Sequence, residues 1–530
     1  MWQGKWRDKI WAQLDQSWDI IIIGGGITGA GILREATGIG LRTLMVEQRD
    51  FSWGSSSRSS KLVHGGPRYL KQGKILLALS LVRERNRLLS EGHGLIDPLD
   101  VLVPIYESNF PRKWIYGFGL SIYGLLELKW KHRYHSVTDI QNLVPYIAPD
   151  GLMGAFRYTD AQTDDARLVL RVILEAVAAG GVAINYVTAD ELLQKDGQVI
   201  GVRLRNGADD RSVDSQAKVV INATGTWADN LREYIGKKRS IRPLRGSHLV
   251  LSGRKLPVAH EVTIRHPVDR RFVYVLPWEG VTVVGTTDLD HSLSLDKEPA
   301  ISAEEVAYLM EGLEALFPAL SLSENDVIST FSGVRGVVGT GKIEPSKESR
   351  EHVVWEENGL LTVTGGKLTN FRLIAIDALK AVKPRFPDLP SLNKKMSALN
   401  PVKVDLSDFK DLDEATRLRL IGRYGSDAPA VVMQAKPGDL EIIPGTPYLW
   451  AELRWGARNE GVVHLEDLLL RRMRLGILLP HGGATLLPQI RAICQSELDW
   501  NDARWEAEKA AYLGLCRQAY SLPGKKTIGN

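Results

Sequence analysis

The chain has 530 residues, and this length predicts roughly two to four domains rather than one hydrophobic core. Its composition, 44% hydrophobic and 25% charged, is typical of globular proteins and excludes a largely disordered chain. The net charge of +4 argues against a protein that binds nucleic acid by neutralising phosphates. The only two cysteines exclude a disulfide framework, an iron–sulfur cluster and a zinc cage, and they favour a reducing compartment.

Residues 1–17 form a tryptophan-rich N-terminal extension. On a helical wheel, one half of this segment carries Trp2, Trp6, Ile10, Trp11 and Leu14. Such a face indicates either a helix that lies in a membrane surface or a helix that packs on the protein itself. We find no apolar stretch of the roughly 20 residues that a membrane-spanning helix needs, and no secretory signal.

The strongest local pattern is a strand, a glycine turn, a helix and a second strand over residues 18–47. Trp18–Ile23 is a β-branched run that predicts a buried strand, residues 27–37 predict a helix, and 41–46 predict the second strand, which ends at Glu47. The turn between them has GxGxxG spacing and consists of Gly24, Gly25, Gly26, Ile27, Thr28 and Gly29.

Each part of this pattern has a role in binding a dinucleotide. The first glycine permits the tight turn, the second lets the backbone approach a pyrophosphate, and the third lets the helix pack on the strand. An acid in the position of Glu47 accepts hydrogen bonds from ribose hydroxyls and favours an unphosphorylated ribose. The sequence therefore predicts FAD or NAD rather than NADP.

The segment that follows favours FAD. Residues 55–70 contain five serines, a lysine, a histidine and two arginines, where a nicotinamide-binding unit would continue into another βαβ crossover. Further motifs lie at 164–170, 222–225, 245–248, 276–278, 285–288, 332–335 and 365–369. With these motifs the chain resembles the FAD-dependent (respiratory) glycerol-3-phosphate dehydrogenases, within the glycine oxidase/D-amino-acid oxidase superfamily. The 59–70 motif is the one specific to that family.

The resemblance implies an α/β architecture. We expect a Rossmann-type FAD-binding domain interleaved with a mixed α+β substrate domain over residues 18–382, and a small helical C-terminal domain over 405–530. Four prolines fall in eighteen residues within 383–404, which predicts a linker. Residues 457–476 predict one helix-like stretch that ends at a C-capping glycine, Gly476.

The resemblance also implies an activity. In this family a hydride passes from C2 of sn-glycerol 3-phosphate to N5 of FAD, which gives dihydroxyacetone phosphate, and the electrons pass to a membrane quinone. The expected location is therefore the cytoplasmic face of the bacterial inner membrane, with peripheral contact to its surface. Residues 112–133, an apolar and aromatic stretch flanked by cations, are a second candidate for that contact. The resemblance allows a homodimer, and the sequence does not determine the oligomeric state.

The motifs carry the candidate site residues. For the substrate phosphate we expect Arg335 and Lys367, with Arg350 as a third cation. His64 and His248 compete for the role of the base, with Arg68 as a further catalytic residue, and this choice stays open. Tyr69 would orient the substrate. No histidine spacing suggests a metal. The cofactor-binding set comprises Gly24, Gly25, Gly26, Ile27, Thr28, Gly29, Glu47, Ser59, Ser60, Lys61, Gly65, Gly66, Gly225, Gly365, Gly366, Leu368 and Thr369.

Three other functions remain open from the sequence. The first is a glycerol-3-phosphate oxidase that passes electrons to oxygen, although such oxidases tend to be longer. The second is an oxidoreductase of the same superfamily that acts on another 2-hydroxy acid or an amino acid. The third is a flavin-binding scaffold without catalysis. The cations, Lys367 above all, favour a phosphorylated substrate over a carboxylate or no substrate.

Overall fold

The computed structural model describes residues 2–65, 69, 73–107, 133–339, 341, 345, 348, 350–388, 390, 392 and 396–524. In chain order its strands are β1 Trp18–Ile23, β2 Thr43–Val46, β3 Ile96–Tyr106, β4 Arg133–His135, β5 Leu152–Thr163, β6 Val182–Ile184, β7 Val187–Lys195, β8 Gln198–Asn206, β9 Ser212–Asn222, β10 Ile241–Ser252, β11 Glu261–Arg265, β12 Phe272–Trp278, β13 Val281–Gly285, β14 Leu289–Asp290, β15 Val327–Val338, β16 Val353–Glu357 and β17 Leu360–Thr364. Its helices are α1 Trp6–Trp11, α2 Ile27–Gly38, α3 Ile75–Glu91, α4 Val137–Leu143, α5 Asp165–Ala178, α6 Ala228–Glu233, α7 Ala303–Leu316, α8 Phe371–Val382, α9 Glu414–Tyr424, α10 Ala428–Met433, α11 Trp450–Asn459, α12 Leu475–Leu478, α13 Leu487–Cys494 and α14 Asp502–Ala519.

The first sheet is mostly parallel and has β1 near its centre. Its described strands follow the order β16, β17, β9, β1, β2, β6, and a ribbon of β7 and β8 joins through β9. Strand β1 pairs in parallel with β2 and β9, so it has a strand on either side, and its apolar run Trp18–Ile23 is nearly all buried. Helices α2, α5 and α8 share one core with one face of the sheet, while the β7–β8 ribbon packs on the other. The strand–turn–helix–strand prediction is confirmed.

The second sheet is mixed and is built from the intervening segments of the chain. Its described strands run in the order β14, β10, β13, β12, β11, β3, β5, β4, with β15 also paired to β10. Helix α7 packs on one of its faces. The chain enters this sheet at β3 and again at β10, and returns to the first sheet at β6 and at β16. The predicted interleaved α/β architecture is therefore confirmed.

The C-terminal helices cover the other side of the second sheet. Residues of α11 to α14 form one core with Trp278 of β12 and Phe331 of β15. The predicted continuous helix over 457–476 is wrong. Helix α11 ends at Asn459, Gly461 adopts a positive φ of 64°, and a π-helical turn follows at Asp467–Arg472. The amides of residues 463 and 464 donate to the Asp467 carboxylate, and a new helical turn begins there. Gly476 lies inside α12 and does not end a helix.

The N-terminal extension packs on the protein. Trp2 is only 3% exposed, stacks on Phe51 with ring centroids 5.2 Å apart, and lies over Gly461, where a Cβ would meet the indole at 2.9 Å. Arg7 donates to the backbone and side chain of Asn185. Helix α1 covers only six residues, and its Trp6, Ile10 and Trp11 are half-buried against the cores on the two faces of the first sheet. Within the described part of the chain, no helix combines the length and apolarity needed to cross a bilayer.

Candidate active site

One large cavity lies between the two sheets. Its volume is about 1430 Å³, more than the roughly 300–1,000 Å³ typical of a small-molecule site, so it has room for a dinucleotide and a small substrate together. One end is bounded by the carboxyl ends of β1 and β2 and the start of β7, and the other by residues of β10, β11, β12 and β15. Ligands of open α/β sheets bind at the carboxyl ends of such strands.

The glycine turn leaves no room for side chains. Gly24 has a φ of 116°, and a Cβ there would lie 2.6 Å from the carbonyl oxygen of Ala223. A Cβ at Gly29 would collide with the carbonyl oxygen of Gly24, so this glycine lets α2 approach β1. Gly26, Ile27 and Thr28 line the cavity, whereas Gly25 and Gly29 support the turn from behind. This division matches the roles that the motif predicts.

Glu47 stands at the end of β2 with its carboxylate held by the backbone. The amide of Gly25 donates to it at 2.7 Å and that of Arg49 at 2.9 Å. Burial raises the pKa of Glu47, while these hydrogen bonds oppose the rise. Gly225 and Gly365 come just after β9 and β17, the neighbouring strands of the same sheet, and with Gly366 they line the cavity at positive φ values of 61°, 79° and 81°. The glycine-bordered edge of the sheet and the anchored acid fit FAD, and the predicted contacts Leu368 and Thr369 also line the cavity.

His64 lies beside a buried carboxylate at the other end. Its Nδ1 is 3.2 Å from Oδ2 of Asp160. The other carboxylate oxygen, Oδ1, accepts from the amide of Gly65 at 3.0 Å and from Arg85 at 3.3 Å. Burial alone would raise the pKa of Asp160, but the hydrogen bond from His64 and the neighbouring charges lower it. Because an ionised carboxylate only accepts hydrogen bonds, Nδ1 carries a proton, and in the neutral ring Nε2 is an acceptor. This is the arrangement of a base with an orienting carboxylate.

His248 is more deeply buried than His64. It is 2% exposed, stacks on Phe331 with ring centroids 4.4 Å apart, and shares a 2.9 Å hydrogen bond between its Nε2 and Oγ of Ser60. Burial first, and then the charges of Lys61 and Arg335, hold the pKa of His248 well below its usual value. This imidazole is therefore neutral at physiological pH.

The predicted cations line the histidine end of the cavity. Lys367 places Nζ 4.7 Å from the ring centroid of Tyr69, and Arg350 pairs with Asp288 at 2.9 Å. The guanidinium of Arg335 passes so close to Gly246 that a Cβ there would meet its Nη2 at 2.6 Å. A glycine at this position thus makes room for the arginine. The structure brings the three cations, Tyr69 and both histidines to one end of the cavity.

Some predicted site residues lie elsewhere. Ser59 and Ser60 line the cavity, but the ammonium of Lys61 is fully buried behind it and bonds to Asp165 at 2.9 Å, because that carboxylate needs a counter-charge. Gly65 is buried beside Asp160 and does not line the cavity. Arg68 and Gly66 lie outside the described residues.

The sequence reasoning missed several charged residues at this end, four of which lie near the histidines or on the neighbouring strands. Arg265 and Arg271 line the cavity, and Asp160 and Glu261 lie behind His64. Glu261 and Arg265 stand at the ends of the strand-like run 261–265. Charged residues at both ends of a β-branched strand could have indicated that Glu261 and Arg265 belong to a site. Asp160, inside the long strand β5, had no signal of this kind.

Comparisons with known proteins agree with this geometry. The family model described as FAD dependent oxidoreductase matches residues 19–372, and that of the C-terminal domain of alpha-glycerophosphate oxidase matches 392–505. The aerobic glycerol-3-phosphate dehydrogenase of Staphylococcus aureus is 31% identical over 484 residues, which cover 86% of this chain and 87% of the relative.

Solved structures share the fold. The glycerol-3-phosphate dehydrogenase from Bacillus halodurans, complexed with FAD, has a TM-score of 0.80 at 26% identity and covers 100% of both chains. L-alpha-glycerophosphate oxidase from Mycoplasma pneumoniae, with FAD bound, has a TM-score of 0.56 at 16% identity over 74% of this chain and 100% of its own. This chain therefore belongs to the FAD dependent oxidoreductases, within the family of FAD-dependent glycerol-3-phosphate dehydrogenases, and its cofactor is FAD.

Proposed function

We propose that this enzyme oxidises sn-glycerol 3-phosphate to dihydroxyacetone phosphate. The observation that carries the proposal is the cavity itself: a cluster of cations and a histidine–carboxylate pair share one end of the space whose other end suits FAD. Relatives named as glycerol-3-phosphate dehydrogenases support the choice of substrate. An alcohol beside a phosphate dianion needs both a base and an anion site, and this end of the cavity offers both.

The chain's own residues supply binding and proton transfer. Arg335 and Lys367 bind the phosphate, and Arg350 adds a charge that Asp288 partly neutralises. His64 accepts the proton of the C2 hydroxyl at Nε2, and Asp160 stabilises the resulting imidazolium through Nδ1. Neutral His248 hydrogen-bonds through Nε2 to Ser60, which lines the cavity beside it. When bound, FAD supplies the hydride acceptor at N5.

Tyr69 is placed to help orient the substrate. It lines the cavity, and its hydroxyl donates to the backbone oxygen of Arg350 at 3.4 Å. Arg68 remains a prediction for the same task, because it lies outside the described residues.

We further propose that the electrons pass to a membrane quinone at the cytoplasmic face of the bacterial inner membrane. The word aerobic in the names of the Staphylococcus aureus relatives supports a respiratory acceptor. The N-terminal extension packs partly on the protein, so 112–133 is the stronger of the two candidates for membrane contact. All of it except Arg133 lies outside the described residues. The homodimer stays a prediction.

Oxygen is the competing acceptor. The match of 392–505 to a domain named after alpha-glycerophosphate oxidase favours it. Peroxide release in air, measured beside reduction of a water-soluble quinone analogue, separates the two. Quinone reduction at a rate far above peroxide release is expected, and the opposite ratio would make the protein an oxidase.

The activity itself is tested by anaerobic titration of the FAD-loaded enzyme. Glycerol 3-phosphate should bleach the flavin absorbance, whereas glycerol, which lacks the phosphate, should act weakly. A panel of 2-hydroxy acids and amino acids serves as the comparison. Faster bleaching by a carboxylate substrate would reject the proposed substrate, and no bleaching by any of them would favour a scaffold.

A further inference from the structure

A buried ionic cluster joins the C-terminal helical domain to the back of the active site. Its centre is Asp165 at the start of α5, and the side chains of Asp165, Lys61 and Arg474 are all 0% exposed. Arg474 follows the π-helical turn and donates from Nη2 to the carbonyl oxygen of Ser57 at 2.6 Å and to Asp165 at 3.3 Å. Its Nη1 donates to the carbonyl oxygen of Leu470 at 2.7 Å, which fixes the guanidinium in its own domain.

Asp165 holds the neighbouring loop by several hydrogen bonds. Both the amide and the hydroxyl of Ser59 donate to its Oδ2, at 2.9 and 2.7 Å. The ammonium of Lys61 donates to both carboxylate oxygens at 2.9 Å and to the carbonyl oxygen of Ser57 at 2.8 Å. The backbone from 57 to 61 is thus tied on its inner side to Asp165 and Arg474.

The outer side of the same loop contacts the active site. Ser60 lines the cavity, and its Oγ lies 2.9 Å from Nε2 of His248. Nζ of Lys61, in the same loop, lies 4.7 Å from the ring centroid of Phe331, on which His248 stacks. The stacking is set by the pairing of β10 with β15, in which His248 lies opposite Phe331. The position of the loop therefore decides the hydrogen bond between Ser60 and His248.

Arg474 contributes hydrogen bonds as well as charge to the cluster. Two adjacent carboxylates, Asp164 and Asp165, are buried together, and Arg423 pairs with the first at 3.1 Å while Lys61 pairs with the second. Arg474 reaches both of them, at 3.6 Å from Asp164 and 3.3 Å from Asp165. Removing it would leave the loop and both carboxylates with fewer bonds, which lets the loop move.

We propose that Arg474 is a positioning residue for the oxidation reaction: through Asp165 and the 57–61 loop, the C-terminal domain holds Ser60 against Nε2 of His248. This inference rests on the proposed function and deepens it. It also assigns a role to the C-terminal helical domain, which contributes no residue to the lining of the described cavity.

The test compares Arg474→Lys with Arg454→Lys. Arg454 is a buried arginine of the same domain, but its partners, Asp439 and Glu497, lie within that domain and do not touch the loop. A lysine at 474 keeps the positive charge but cannot donate to the carbonyl oxygens of Ser57 and Leu470 at the same time, as the guanidinium does. We expect kcat with glycerol 3-phosphate to fall on the order of 10- to 100-fold for Arg474→Lys, because small misplacements of catalytic groups have effects of this size. KM and FAD content should stay within about 2-fold of wild type, and Arg454→Lys should keep wild-type kcat.

A double-mutant cycle with Ser60→Ala separates positioning from general structural damage. If Arg474 acts through Ser60, the double variant should be no slower than Ser60→Ala alone. Additive losses, or an unchanged kcat in Arg474→Lys, would overturn the proposal. Should Arg474→Lys fail to bind FAD, Ser59→Ala takes its place in the cycle with Ser60→Ala, because it removes one hydrogen bond to Asp165. Additive losses of kcat in that cycle would likewise overturn the proposal.

A crystal structure of the FAD-loaded Arg474→Lys variant gives a readout that does not depend on turnover. The distance from Ser60 Oγ to His248 Nε2 should lengthen from 2.9 Å to beyond hydrogen-bonding range. An unchanged distance contradicts the positioning role, even if activity falls. If the wild-type flavin is not reduced by glycerol 3-phosphate, the proposed function fails, while the distance still decides whether Arg474 positions this histidine.

Discussion

Glu261 should make the protein less stable as the pH rises through neutrality. This residue begins β11 and is fully buried. Thr263 donates to its Oε1 at 3.1 Å, but no described residue lies within hydrogen-bonding distance of its Oε2. Burial is the largest cause that raises the pKa of Glu261, from 4.5 to about 7. The charge of Asp160 raises it further, while His64 opposes the rise.

The sign follows from proton binding. Between pH 4.5 and about 7 the folded protein holds a proton on this carboxyl that the unfolded chain has already released. Stability from this group is therefore fully present below pH 4.5 and is lost as the pH rises through 7. Each pKa unit corresponds to about 1.4 kcal/mol, so this group lowers the free energy of unfolding by about 3 kcal/mol at about pH 8 relative to low pH. For a chain of 530 residues that corresponds to roughly 3 °C in Tm.

The test is a thermal melt of Glu261→Gln beside wild type at pH 4.0 and pH 8.5. The neutral amide imitates the protonated carboxyl, so the variant should match wild type at about pH 4.0 and melt roughly 3 °C higher at about pH 8.5. Glu452→Gln is the control of opposite sign. Although burial alone would raise the pKa of Glu452, Arg419 and Arg423 lower it, so that variant should lose stability at pH 8.5. A Glu261→Gln variant that shows no pH-dependent gain would refute the reasoning.

Four further variants test the site and the fold. Arg335→Met should lower kcat/KM for glycerol 3-phosphate about 10- to 150-fold with normal FAD content; equal losses on glycerol would indicate a structural role instead. Asp160→Asn should lower kcat roughly 100-fold or more, because His64 loses the carboxylate that stabilises its charged form; an unchanged kcat, measured by flavin reduction, would exclude His64 as the base. Glu47→Ala should weaken FAD binding about 10- to 150-fold in a fluorescence titration, while FAD affinity equal to wild type would remove it from the cofactor site. Trp2→Ala should cost about 3–5 kcal/mol in urea unfolding, and a loss below about 1 kcal/mol would show that the N-terminal extension does not stabilise the fold.

The sequence by itself determined the cofactor-binding unit and the family. The strand Trp18–Ile23, the glycine turn and Glu47 were predictable because their interactions are local. The positive φ at Gly24 and the lack of space for a Cβ at Gly29 leave few other residues possible. The separate motifs indicated the family and predicted an anion site at Arg335 and Lys367, and the structure brings these two side chains to one cavity.

Only the tertiary structure decided which side chains surround the histidines and what covers the apolar faces. Asp160 and Glu261 reach His64 from β5 and β11, and Arg474 reaches the 57–61 loop from more than 400 positions away in sequence. The periodicity of the N-terminal extension showed an apolar face but not that Phe51 and Gly461 would cover it. A local pattern encodes which face of a segment avoids water, whereas the partner that buries the face and neutralises its charges is selected by long-range packing.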